Sequence, residues 1–134
     1  MPEETEAEMS VTGTRYAALF PGQGSQFEGM ADPWTEHPAG KGALDEASDS
    51  MGRDVVAGCH DETSLATTEF VQPALLVCDV AAFRVMEAEG ISFVGVAGHS
   101  LGEFAALVAA GVVPLGDAHD LVVVRGAAMQ RAAE

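Results

Sequence analysis

Two cysteines, Cys59 and Cys78, in a chain of 134 residues are too few for a disulfide framework. They read as free thiols, Cys78 inside an apolar helix, and that suits a reducing cytoplasm. Neither has a second cysteine or histidine at metal-ligand spacing. The adjacent pair Cys59-His60 reads as structural or surface, so no metal site is expected. Basic residues are also scarce: 6 Lys plus Arg stand against 21 Asp plus Glu, a formal net charge of −15. Phosphate backbones need a basic surface, so nucleic acid is excluded as a partner. Anionic membranes are excluded on the same ground. No apolar run reaches transmembrane length. The N-terminus is acidic and has no apolar h-region, which argues against a signal peptide. A cytoplasmic, soluble protein is the expectation.

What is present begins with an acidic leader. Glu3, Glu4, Glu6 and Glu8 mark residues 1–14 as a disordered, solvated tail, and residues 15–134 as a single folded portion. The pattern there is α/β. Residues 15–20 ("RYAALF") read as a short strand running into the turn 21–25. Residues 26–34 suggest the start of a short helix, interrupted near Pro33. Residues 38–51 read as a helix weakened by Gly40 and Gly42, and 54–66 as a mixture of short helical turns and loop. Residues 71–89 form the strongest helix, with Pro73 near its start and Gly90 at its end. Its apolar set Leu75, Leu76, Val80, Phe83 and Met86 has helical spacing. Residues 93–97 read as a buried strand and 101–110 as a helix stopped by Gly111. Asp117 is a plausible N-cap for a last helix running to the end. Two parallel strands cannot form a stable sheet alone. The faces of the 71–89 helix and the last helix are therefore expected to leave an exposed apolar patch.

Two short motifs carry chemistry. "GHSLG" at residues 98–102 has the G-x-S-x-G form of a nucleophile elbow, in which a strand turns sharply into a helix and lifts a serine hydroxyl clear of the sheet. The strand–turn–helix context is the one that device requires. A tight turn with no chemical role has the same form. "FPGQGSQ" at residues 20–26 follows a strand and, taken alone, is equally an ordinary polar turn. Arg125 interrupts an apolar set on the last helix (Leu121, Val122, Val124, Met129), where a charge is costly unless paired. It either meets an anion or lies at the solvent side.

With these two motifs, "FVQPALL" at residues 70–76 and "VVVRGAAMQ" at residues 122–130, the chain is similar to the N-terminal part of malonyl-CoA:acyl carrier protein transacylases, and more broadly to the acyltransferase domains of fatty acid and polyketide synthases. Leu101 after the serine resembles the stand-alone malonyl enzymes, as does the short stretch before the first motif. The resemblance implies an α/β-hydrolase-like partial domain with few parallel strands and a helical majority, truncated before a ferredoxin-like subdomain. It implies that Ser100 attacks the thioester of malonyl-CoA and carries malonyl as an ester. The oxyanion donors would be the backbone N–H groups of Gln23 and Leu101. Arg125 would grip the malonyl carboxylate with two parallel hydrogen bonds. Gln72 would line the site or serve the first turn of its helix. The acceptor would be the phosphopantetheine thiol of acyl carrier protein, with no bound cofactor and no metal.

The base is missing from this set. Serine at neutral pH needs one, and the family supplies a histidine from its second half. Of the local histidines, His99 is expected to point away from Ser100 into the core, and His119 lies about 120° around the helix from Arg125. His37 falls in a loop and His60 in the mixed stretch. The chain is therefore expected to be a fragment or one piece of a split protein, with a complementary second half-chain as a partner. Polyketide-type acyl transfer with another extender unit, and a non-catalytic acyl- or partner-binding fragment, are the alternatives.

Overall fold

A computed structural model describes residues 14–134. The acidic leader lies outside the described residues, apart from Thr14. Strand β1 (Tyr16–Phe20) alternates as a half-buried strand must, with Ala18 and Phe20 inward and Ala17 and Leu19 outward. The helix expected within 26–34 reduces to a 3-10 turn at Asp32–Trp34, with Pro33 in its first turn. Helix α1 (Pro38–Met51) starts where expected. Pro38 fits the first turn, and the His37 ring accepts the Ala39 N–H at 3.1 Å. The mixed stretch resolves into α2 (Val55–Gly58) and α3 (Glu62–Leu65). Each is one turn long and capped by an aspartate: Asp54 accepts from Ala57 N–H and Asp61 from Thr63 N–H.

Helix α4 (Thr68–Ala88) begins three residues before the expected start. Pro73 therefore sits inside it rather than at its edge. Its missing N–H frees the Glu69 carbonyl from its usual i+4 partner. The last helix, α6 (Leu115–Ala133), packs against that carbonyl edge through Gly126, where a Cβ would come within 3.3 Å of the Thr68 and Glu69 carbonyl oxygens. Between them lie strand β2 (Phe93–Gly98) and helix α5 (Leu101–Ala109). Asp117 is not the N-cap of α6. Pro114 holds that position, with φ −61° already set for a helix start and its carbonyl bonded to Ala118 N–H at 3.0 Å. Asp117 sits in the first turn instead, where the positive end of the helix favours it.

The two strands pair in parallel, Ala17 opposite Gly95 through Phe20 opposite Gly98. The crossover between them runs through α1–α4. Helix α4 is the centre of the core. Residues 70–78 are buried on every side, with α1, α5 and α6 packed around them. The Phe83 ring lies 5.9 Å from Phe20 and 5.1 Å from Phe93, joining α4 to both strands. This corrects the expected bare face on the 71–89 helix, because neighbouring helices of the same chain cover it. The open apolar surface is elsewhere. Leu19 is 75% exposed on the outer face of the sheet, and Val124 is 67% exposed on α6. The apolar set expected to form one face of α6 is split: Val122 is fully buried, while Leu121, Val124 and Met129 face outward. Among the described residues, no helix is long and apolar enough to cross a membrane.

Candidate functional site

Parallel strands bring their carboxyl ends to one edge, and that edge is where α/β sheets hold their sites. Here the ends of β1 and β2 deliver the 21–25 turn and the 98–100 turn side by side, tied by a His99 N–H to Phe20 carbonyl bond of 3.1 Å. Ser100 has φ 54° and ψ −114°, and it is the one non-glycine residue with positive φ among those described. Such a conformation costs about 1–3 kcal/mol and persists only where the surroundings enforce it. Two bonds close the turn, Gly102 N–H to His99 carbonyl at 2.9 Å and Glu103 N–H to Ser100 carbonyl at 3.0 Å. The close packing also needs glycine at both ends. A Cβ on Gly98 would collide with the Gly102 backbone, and one on Gly102 with the Phe20 and Pro21 carbonyls. The strand–turn–helix form expected from the sequence is present, with Ser100 solvent-exposed at its tip.

The side chains converge on this serine from three helices and a loop. Arg125, on α6, donates from Nη2 to Ser100 Oγ at 3.0 Å and from Nη1 to Gln72 Oε1. Its guanidinium also lies 5.7 Å from the centre of the Phe104 ring. Gln72, on α4, is 1% exposed and donates to Gln23 Oε1 at 2.9 Å. Gln23, on the 21–25 turn, donates to Thr68 Oγ1 at 3.1 Å. Thr68 in turn gives its backbone N–H to Gln130 Oε1 at 2.9 Å. The structure thus joins Gln23, Gln72, Ser100 and Arg125 through side chains, and Leu101 follows Ser100 as the buried first residue of α5. Among the described residues, the backbone N–H groups of Gln23 and Leu101 have no acceptor. Thr68, Gln130 and Phe104 were not singled out by the sequence. Gln130 closes a quoted motif and was within reach, whereas Thr68 carries no pattern that would mark it.

No histidine among the described residues bonds to Ser100. His99 is exposed beside Gly22 rather than packed in the core, because the tight turn leaves its ring on the outer side. His119 is buried, its ring nitrogens make no hydrogen bond, the Asp120 carboxylate lies 4.0 Å from Nδ1, and burial holds its pKa below the usual value. His37 bonds Glu89, and His60 bonds Asp32, which raises the His60 pKa. No group of three or more potential ligands that could hold a metal is present among the described residues.

A strained, exposed serine thus sits at the turn from β2 into α5 with a guanidinium on its hydroxyl. The chain belongs to the acyl transferase domain family, whose profile matches residues 18–134. It is 46% identical over 120 residues to the malonyl CoA-acyl carrier protein transacylase of Bacillus subtilis, an alignment covering 87% of this chain and 30% of that protein. Among solved structures it resembles the malonyl-CoA:ACP transacylase of Synechocystis sp. PCC 6803, with a TM-score of 0.84 and 38% identity over 89% of this chain and 41% of that one. A malonyl-transacylase solved in complex with its type II PKS acyl-carrier protein is 44% identical with a TM-score of 0.81, covering 89% of this chain and 40% of that one. The chain spans about two fifths or less of the length of these relatives.

Proposed function

We propose that this chain supplies the nucleophile-bearing part of an acyltransferase that moves malonyl from coenzyme A to the phosphopantetheine thiol of acyl carrier protein, in fatty acid synthesis. The observation that carries the reading is the Arg125–Ser100 contact at 3.0 Å on a positive-φ elbow. Ser100 Oγ attacks the thioester carbonyl, the coenzyme A thiol leaves, and the acyl group stays as a serine ester. Attack by the carrier thiol then returns the serine. The unbonded N–H groups of Gln23 and Leu101 suit the developing oxyanion, each worth about 3 kcal/mol in comparable sites. The positive end of α5 adds to them. Arg125 is suited to the malonyl carboxylate. A bound carboxylate draws Nη2 off Ser100 Oγ and leaves Nη1 on Gln72, so the fork stays oriented while the hydroxyl is released.

In this reading, the general base is a histidine supplied by another part of the longer unit, since none of the four histidines of this chain bonds Ser100. The parallel pair and its helices form part of an α/β-hydrolase-like core, and a ferredoxin-like subdomain belongs to the longer unit. No cofactor or metal takes part, and the setting is the cytoplasm. The identities to malonyl transacylases favour malonyl over another extender unit, and Arg125 offers a partner for the free carboxylate that acetyl lacks.

The test is a chimera in which residues 15–134 replace the matching part of the Bacillus subtilis relative. Malonyl transfer from coenzyme A to acyl carrier protein is expected, and Ser100→Ala should abolish it. A chimera that folds yet transfers nothing would overturn the reading.

A further inference from the structure

When an acyl carboxylate draws Nη2 of Arg125 off Ser100 Oγ, the guanidinium keeps one side-chain bond, from Nη1 to Gln72. One hydrogen bond fixes a point of the fork and leaves its swing free. A third neighbour does not depend on the serine. The guanidinium carbon lies over the Phe104 ring, 5.7 Å from its centre. An aromatic face carries negative charge density and attracts a cation at this range. The attraction uses none of the five N–H donors of the fork, so it competes neither with Gln72 nor with a carboxylate.

The elbow sets the ring there. Ser100 stands at the start of α5 and Phe104 follows one turn later, while Arg125 comes from α6 and Gln72 from α4. Three helices therefore meet the guanidinium. Phe104 is half-buried, and it lines an open groove of about 490 Å³ with Val96, Gly98 and Leu107, where a larger ring has room. Solvent does not substitute for the ring. Water molecules follow a guanidinium as it turns, whereas Phe104 is fixed on its helix.

We propose that Phe104 is a positioning residue that holds the Arg125 guanidinium through its ring face and so raises the preference of the site for an acyl group that ends in a carboxylate. The proposal rests on the reading of Arg125 as the carboxylate's partner. It adds a residue that makes no hydrogen bond to the arginine or the serine, and it gives the elbow helix a part in acyl choice.

The test uses the chain itself. Phe104→Leu and Phe104→Met keep apolar bulk and remove the face, and the second serves if the first does not fold. Phe104→Tyr and Phe104→Trp keep the face. Wild type, Arg125→Ala and the double variant Phe104→Leu with Arg125→Ala complete the set. Each form is incubated with an equimolar mixture of malonyl-CoA and acetyl-CoA, and mass spectrometry reads the ratio of the two adducts on Ser100. The ratio is taken within one sample, so loss of folded protein cancels. The leucine and methionine forms should lower the malonyl-to-acetyl ratio about twofold to fivefold, the range for a partly exposed cation–ring contact. Tyrosine should hold the ratio, and tryptophan should hold or raise it. Without Arg125, Phe104→Leu should change nothing further, because the ring has no cation to hold. The proposal is overturned if the aliphatic forms leave the ratio unchanged, or if the aromatic forms fall as far as they do. It is also overturned if Phe104→Leu lowers the ratio as much without Arg125 as with it. Any of these results beside a loss of preference in Arg125→Ala sinks this proposal alone. If wild type forms no Ser100 adduct or shows no preference, or if Arg125→Ala keeps it, the underlying reading fails and this proposal with it.

Discussion

Replacing Arg125 with alanine removes the one cation recorded at the Ser100 hydroxyl while leaving the elbow intact. Two costs follow, and they can be separated. The first is to stability: buried Gln72 loses the donor to its Oε1, worth about 1–3 kcal/mol for an unsatisfied buried group. The second is to substrate choice. Truncating one partner of a buried charge pair costs about 2–5 kcal/mol. Arg125 is only half-buried, so solvent screens part of this, and the lower end applies: about 2 kcal/mol, or roughly thirtyfold. The assay is competition between malonyl-CoA and acetyl-CoA in the chimera, read as the ratio of the two adducts on Ser100 by mass spectrometry. A ratio cancels any loss of folded protein, so the stability cost does not contaminate it. Malonyl loading should fall about thirtyfold relative to acetyl, since acetyl has no charge to leave unpaired. Arg125→Lys should recover only part of the ratio, because an ammonium cannot keep one bond to Gln72 and offer a fork to the carboxylate. An unchanged ratio in Arg125→Ala would refute the carboxylate role, whatever happened to the total rate.

Three further outcomes follow from the geometry. Gly102→Ala puts a methyl group against the Phe20 and Pro21 carbonyls and should destabilise the chain by about 3 kcal/mol; an unchanged thermal midpoint would contradict the close approach of α5 to β1. Burial pushes the Asp79 carboxyl up to about 7 from 3.8, and its Oδ2 has no partner. The folded state therefore holds a proton that the unfolded chain releases, and stability should fall as pH rises from about 4 to about 7. Asp79→Asn should flatten that fall, so thermal midpoints that keep the wild-type pH slope would count against it. Leu19 and Val94 are exposed on the strands at 75% and 70%, so the chain should bind a hydrophobic dye, and Leu19→Glu with Val94→Glu should reduce the signal; equal binding would locate the apolar surface elsewhere.

Local chemistry was the legible part of this sequence. Helix α1 begins at Pro38, as read, because a proline at a helix start needs only its neighbours. The elbow was legible because G-x-S-x-G between an apolar strand and a helix describes backbone geometry directly. Pro73 misled for a tertiary reason. Proline usually marks a helix edge, yet here α6 packs on the carbonyl it frees, and the helix continues upstream to Thr68. Asp117 reads as a cap from its side chain alone, whereas Pro114 starts the helix through its fixed φ. His99 does point away from Ser100's partners, as its place beside the serine implies, but β2 ends at Gly98 and the turn leaves the ring exposed rather than in the core. The relay from Thr68 to Ser100 spans positions 23, 68, 72, 100 and 125. Pairings at such separations depend on helix packing, which no local pattern encodes.

The central claim is that Ser100 is the nucleophile, and the most direct measurement is on the chain itself. Purified protein is incubated with malonyl-CoA, digested and mapped by tandem mass spectrometry. Without a base, triad-type enzymes lose on the order of a million-fold in turnover yet keep a remnant from oxyanion donors and binding, so acylation should be slow but detectable. The account predicts one malonyl ester, on Ser100, absent from Ser100→Ala. An adduct on Cys59, Cys78 or a lysine with Ser100 unmodified would contradict it, as would the same adduct persisting in Ser100→Ala.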